Sequence, residues 1–230
     1  PQFYQEKDGS RRPLARKGVD TGMGLERISF LMDQEAQNNY QTQIFKTIIQ
    51  AIEKIADRPY EPSTYAAYHV VADHLRALTF AIGDGVIPSN EGRGYVLRRI
   101  LRRALRFGRV LGITKPFIYK MVEPISALLG EFYPEITEAK KNVQNVLEGE
   151  EKRFLDTLEK GMTKLDEIIE SALKNGKVIS GKDAFLLYDT FGFPVEMTSE
   201  IALEKEISVN MKEFEDEMNK QRERGKQSWK

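Results

Sequence analysis

Apolar residues along this chain recur mostly in steps of three and four. Leu25, Ile28, Leu31 and Met32 form the first such set, just after Gly22 and Gly24. Ile44, Phe45, Ile48, Ile49, Ile52 and Ile55 form a second, ended by the two prolines of "DRPYEPS". Val70, Val71, Leu75, Leu78 and Ile82 mark a third helix over roughly 64–82. Such steps put these side chains on one helical face, which a neighbouring element must cover. After the loop "GDGVIPSN", Leu97, Ile100, Leu101, Ala104 and Leu105 define a fourth helix, with Gly112 as its C-terminal stop. A short helix is expected around 116–130, kinked or split by Pro124. Val143, Leu147, Phe154, Leu158, Leu165, Ile169 and Leu173 then predict a helix over 135–174. It would run about 60 Å if unbroken, but Gly149 and Gly161 weaken its continuity.

Strand patterns are confined to the two ends. "QFYQ", the turn "DGS" and "RKGVD" predict two short strands within 2–20. "KVIS" and "ISVN" predict a small two-stranded sheet near 178–180 and 207–209. Between them "KDAFLLYDTF" and "VEMTSEIALEKE" read as helices, and a charged last helix starts at 211. The fold class is therefore mainly α, a helical domain preceded by a short β-hairpin and helix. The natural boundary falls near Asn38–Tyr40, giving domains 1–38 and 39–230.

Composition narrows the chemistry. With 40% hydrophobic residues the chain can build a core. It has no cysteine, which excludes disulfides and thiolate metal sites and fits a reducing, cytoplasmic location. Two histidines, His69 and His74, exclude a histidine-rich metal site. His74, in "ADHLRA", reads as a structural residue, and Arg76 as an addition to the basic surface. No apolar run reaches membrane-spanning length. The N-terminus lacks Met and a signal-like apolar stretch, and reads as cut from a longer protein.

Net charge is zero, from 35 basic and 35 acidic residues, but it is unevenly placed. Residues 1–134 carry 19 basic and 14 acidic side chains, and 135–230 carry 16 and 21. A basic first half points to a polyanionic partner. Its centre is "NEGRGYVLRRILRRALRFGRVLG" (90–112), with arginines at 93, 98, 99, 102, 103, 106 and 109. On a helix Arg98, Arg102, Arg106 and Arg109 share a face apart from the apolar stripe, with Arg99 and Arg103 beside them. The helix would then bury one side and show a basic ridge on the other. Guanidinium forks suit phosphate and carboxylate alike. Two readings follow: a grip on a polyanion, or braces to acids of the second half.

"VDTGMGLERISFL" (19–31) places an acid, two glycines and an arginine at a strand-to-helix junction. Gly22 and Gly24 allow close backbone approach, the helix start offers free N–H groups, and Arg27 adds a fixed cation. A plain turn with a local Glu26–Arg27 ion pair fits the same spacing. "GMGLER", however, resembles motif 3 of class II aminoacyl-tRNA synthetases. "VDTGMGLER", the stretch 72–112 and "LYDTFGFPVEMT" (187–198) resemble, in that order, the alanyl-tRNA synthetase family. The resemblance covers nearly the whole chain.

The resemblance implies that residues 1–38 are the end of an aminoacylation domain and 39–230 a helical tRNA-recognition domain. It implies Arg27 as the catalytic, ATP-holding arginine with Gly24, and Asp20 and Gly22 as the alanine pocket. ATP with Mg2+, alanine and the acceptor stem of alanine tRNA are the implied ligands. Motifs 1 and 2 precede the stretch resembled, so the chain alone is expected to be inactive in adenylate formation. The zinc site of the family's editing domain also lies outside the chain. One departure is visible: Tyr40-Gln41-Thr42-Gln43 stands where the family pattern has "YDTD".

The family reads a G·U wobble pair in the acceptor stem. By motif position, Asn90 would supply an amide donor and Asp189 a carboxylate acceptor. Arg93, Arg98, Arg99, Arg102, Arg103 and Arg106 would hold the RNA. If about four arginines each neutralise a phosphate, log K should fall with log salt at a slope of roughly −3 to −4. The residues alone also allow Asn90 as an N-cap or turn residue and Asp189 as a turn cap. Two other classes stand beside this reading: a stand-alone basic nucleic-acid-binding module, and a helical scaffold whose arginines bind acidic protein. Oligomeric state is left open.

Overall fold

The chain opens with a hairpin: β1 (Phe3–Gln5) pairs antiparallel with β2 (Arg11–Pro13), Phe3 opposite Pro13. The Glu6 N–H donates to the Ser10 carbonyl at 2.8 Å and closes the turn. The second strand therefore starts at Arg11, directly after the turn, and not in "RKGVD" as the sequence pattern predicts. This computed structural model describes residues 2–19 and 21–227, with side chains as far as Glu223. The chain separates into two units, Pro1–Lys46 and Thr47–Lys230.

In the first unit α1 (Leu25–Met32) follows the glycines, as its spacing predicts, but it has no buried residue. Leu31 and Met32 are 75% and 79% exposed. A two-stranded hairpin and one two-turn helix supply too few layers to cover an apolar stripe. A single 3-10 turn, Asn39–Gln41, is capped by Asn38, whose side chain accepts from the Tyr40 N–H. Gln41 accepts the Gln37 N–H at 2.6 Å, so its amide serves the local turn. α2 (Gln43–Ala56) begins in this unit and continues into the second, with Phe45, Ile48, Ile49 and Ile52 buried.

The second unit is a stack of helices. α3 (Tyr65–Gly83) packs against α4 (Gly92–Val110), and both lie on the long α6 (Pro134–Lys174). Of the predicted apolar stripe of α4, Leu97, Leu101, Ala104 and Leu105 are buried and Ile100 is half-buried. Gly112, at φ 87°, follows the C-cap Leu111. Pro124 neither kinks nor splits a helix. A 3-10 turn at Ile118–Met121 leads into α5 (Val122–Leu129), and Pro124 sits in its first turn, where a missing N–H costs little.

α6 is one continuous helix of 41 residues with Pro134 in its first turn. Gly161 does not interrupt it, because the glycine makes room for another element. A Cβ there would overlap the ring of Phe193 and crowd Phe191. The apolar stripe from Val143 to Ile169 is buried, whereas Leu173, near the helix end, is half exposed. Beyond it come β3 (Val178–Ile179), α7 (Gly181–Phe191), α8 (Val195–Leu203), β4 (Ser208–Val209) and α9 (Met211–Gln227). β3 and β4 pair in parallel, Val178 with Ser208, so α7 and α8 form the crossover between them. Among the described residues no helix is long and apolar enough to cross a membrane.

Candidate nucleic-acid interface

In the first unit, Gly22, Gly24 and Arg27 are all exposed. Gly24 is the N-cap of α1 and makes no side-chain cap, so the first N–H groups of the helix are not met by a capping side chain. The Arg27 stem lies over Gly24: a Cβ on that glycine would come within 3.3 Å of Arg27 Cδ. Asp20 lies outside the described residues.

The second unit changes the picture of the arginine helix. The arginine face of α4 is not an open ridge, because α6 and α8 cover much of it with glutamates. Arg98 grips Glu150 of α6 through Nε and Nη2, at 3.0 and 3.1 Å. Arg99 donates to Glu196 at 2.9 Å and Arg103 to Glu200 at 2.8 Å. Arg106, 9% exposed, reaches Glu204 at 2.6 Å and Glu200 at 3.6 Å. The acids at 196, 200 and 204 repeat every four residues along α8 and its C-cap, as the facing arginines nearly do on α4. Two oppositely charged helical stripes therefore zip together. His74 belongs to the same seam: it contacts Asp73 and the Arg103 guanidinium, each at 3.1 Å.

Arg102 differs from these. Its guanidinium donates to the Gly192 carbonyl and stacks 5.0 Å from the centre of the Phe154 ring. Gly192 is the left-handed C-cap of α7 at φ 70°, a conformation that favours glycine and sharpens the turn. Burial, with Arg98 alongside, brings the Arg102 guanidinium down to about 10. It therefore stays charged at neutral pH. Arg93, at the exposed start of α4, has no ion-pair partner among the described residues.

Between α4, α6, α7 and α9 lies a cleft of about 1030 Å³. Asn90 and Asp189, 99 positions apart in sequence, both line it, together with Arg98, Arg99, Arg102 and Arg153. Neither reader candidate serves as the cap that its local sequence allows. The N-cap of α4 is Glu91, and α7 is closed by Gly192. Asn90 accepts from Arg98 through its carbonyl oxygen. That leaves the amide N–H groups of Asn90 without a partner among the described residues. Asp189 accepts from Gln221 of α9 through Oδ1, and Oδ2 is likewise unpartnered there. The cleft thus offers, among the described residues, one unpartnered amide donor and one unpartnered carboxylate acceptor within an arginine-rich wall.

Sequence spacing did not point to several of its residues. Tyr95 donates to Glu196 at 2.9 Å, and burial with that bond pushes its phenol well above the ordinary value. Gln221 and Arg222 enter from α9, a helix whose sequence reads only as charged. Their one legible signal is position: Phe214, Met218 and Gln221 follow steps of four and three along one face.

A synthetase-like glycine–arginine turn and an arginine-lined cleft thus occur in one chain. Residues 1–230 match the family described as tRNA synthetases class II (A), and the chain belongs to that family. Its curated relatives are more particular: each of the following is an alanine–tRNA ligase. The protein of Staphylococcus epidermidis strain RP62A is 45% identical over 229 residues, covering 99% of this chain and 26% of the relative. That of Geobacillus thermodenitrificans is 47% identical over 228 residues, 98% of this chain and 26% of the relative. That of Staphylococcus aureus strain JH9 is 46% identical over 229 residues, with 99% and 26% covered. The chain spans about a quarter of the length of these relatives.

Proposed function

We propose that this chain is the part of an alanine–tRNA ligase that links the end of the aminoacylation domain to the domain gripping the acceptor stem of alanine tRNA. In this reading the cleft receives the stem, and Asn90 and Asp189 read its G·U pair. The observation that carries it is the free amide donor and free carboxylate acceptor brought into one arginine-lined cleft from distant positions. A G·U pair leaves the guanine amino group open in the minor groove and shifts the uracil carbonyl toward the major groove. The first calls for an acceptor and the second for a donor. A protein-scaffold reading has less support, because the acids paired with α4 come from the same chain.

Asp189→Ala and Asn90→Ala are each expected to lose about 1–3 kcal/mol of discrimination between G·U and G·C stems. Arg102→Ala should instead weaken both stems about equally. The measurement is competition binding with matched acceptor-stem hairpins that differ only at that pair. Mutants discriminating as well as the parent would defeat the assignment. The salt slope tests the grip. Arg102 and Arg222 of the cleft, and Arg93 at the exposed start of α4, have no carboxylate partner among the described residues. Three such contacts give a slope of about −2 to −3, shallower than a count of four arginines predicts.

In the same reading ATP is held by Arg27 and Gly24, and alanine by Asp20 and Gly22. The residues fit a phosphate ligand: Arg27 is exposed, has no ion pair among the described residues and folds over the uncapped start of α1. ATP with Mg2+ supplies the activation of the alanine carboxylate. A single motif cannot both position and stabilise the reacting groups. The 230-residue chain by itself is therefore expected to give no alanine-dependent ATP–pyrophosphate exchange. Exchange above a no-alanine control would refute this.

A further inference from the structure

Asp189 stands in the last turn of α7, two residues before its end at Phe191. There the unpaired carbonyls of a helix repel a carboxylate, and the last turn of α7 carries no basic residue to offset them. Asp189 is also exposed, so packing does not choose its rotamer. Among the described residues, the one side chain that holds it comes from α9: Gln221 donates its amide N–H to Oδ1.

The approach of Gln221 is set by contacts further up α9. The Phe214 ring meets Tyr188 of α7 edge-on at 5.8 Å, and Glu213 accepts the Gly181 N–H at 2.7 Å. Gly181 touches the α9 backbone so closely that a Cβ there would overlap the Phe214 nitrogen. These contacts lock the register of α9 on α7. Gln221 follows Phe214 by seven residues, two turns along the same face, and so arrives at the end of α7.

We infer that Gln221 is a positioning residue for base reading: it fixes the Asp189 carboxylate so that Oδ2 is the oxygen left to accept from RNA. The inference rests on the reading of Asp189 given under the proposed function. A donor held by a neighbouring helix limits the rotamers of Asp189 before RNA arrives, so less ordering is left to binding. Gln221 adds no charge, so it shapes the preference for one base pair and leaves the phosphate grip alone.

The test is a double-mutant cycle on the 230-residue chain, with Asp189→Ala, Gln221→Ala and the double variant. Binding to the G·U and G·C acceptor-stem hairpins is measured across salt, alongside thermal unfolding. Gln221→Ala is expected to lower G·U over G·C discrimination about fivefold, and to lower it no further once Asp189 is gone. Salt slope and unfolding temperature should stay at the parent values. Additive losses would overturn the inference, because Gln221 would then act independently of Asp189. An equal weakening of both stems with a lower unfolding temperature would also overturn it, as a purely structural role. Should Gln221→Ala leave discrimination intact while Asp189→Ala abolishes it, only the inference fails. Should Asp189→Ala change nothing, the base-reading role itself fails.

Discussion

Glu151→Ala is expected to lower the unfolding free energy by about 4 kcal/mol, measured by urea denaturation. Glu151 is fully buried on α6, and its Oε1 accepts the Phe117 and Ile118 N–H groups at 2.7 and 3.0 Å. Its Oε2 faces the Tyr119 N–H at 3.5 Å. These donors belong to the start of the 3-10 turn that leads into α5, so one side chain caps a whole element. Alanine would leave at least two buried donors unmet and a cavity beside them. Glu151→Gln separates charge from capping, since its carbonyl oxygen can still accept both N–H groups.

The pH dependence has a definite sign. Burial pushes the Glu151 carboxyl up, more than the backbone donors pull it down. The folded chain therefore binds this proton more tightly than the unfolded chain. Burying the charge costs stability at neutral pH, and the cost fades as pH falls through the raised value toward the ordinary carboxylate range. A glutamine amide does not titrate in this range. The stability of the parent relative to Glu151→Gln should therefore improve as pH falls from neutral toward the ordinary carboxylate range.

The second large effect is expected at Arg98. Arg98→Ala should cost about 3 kcal/mol, because it leaves Glu150, only 7% exposed, with one remaining partner. That partner is Arg153, at 3.0 Å and largely exposed. In the proposed reading, base discrimination should suffer as well, since Arg98 holds the carbonyl end of the Asn90 amide and leaves its N–H end without a partner among the described residues. Arg98→Lys sharpens the test. Lysine keeps the charge but loses the fork that spans Glu150 and Asn90. It should lose G·U discrimination while keeping the parent's salt slope in hairpin binding. Unchanged discrimination in this variant would show that Arg98 does not orient Asn90.

Most helices were legible because burial leaves a record in the sequence. The stripes of α3, α4 and α6 are apolar where a neighbour covers them, and the parallel strand pair near 178 and 208 showed in its β-branched residues. What was not legible depends on partners far along the chain. Arg99, Arg103 and Arg106 read as a ridge because their glutamates lie 97 or more positions away. The fourfold repeat of Glu196, Glu200 and Glu204 was the available hint. The α1 stripe failed in the other direction, since periodicity announces a face to be covered without saying whether this chain supplies the cover. Asn90 and Asp189 are candidates through family motifs alone, and nothing local marked their contacts with Arg98 and Gln221.

The seam between α4 and α8 has a consequence for how this chain meets a polyanion. Its glutamates are counterions built into the fold, held by the arginines without drawing on the surrounding solution. If a nucleic acid docks as proposed, that stretch of α4, its arginines already paired, would displace few ions from the incoming backbone. Ions released on binding would then report the cleft and the exposed start of α4, not the full count of arginines in the sequence.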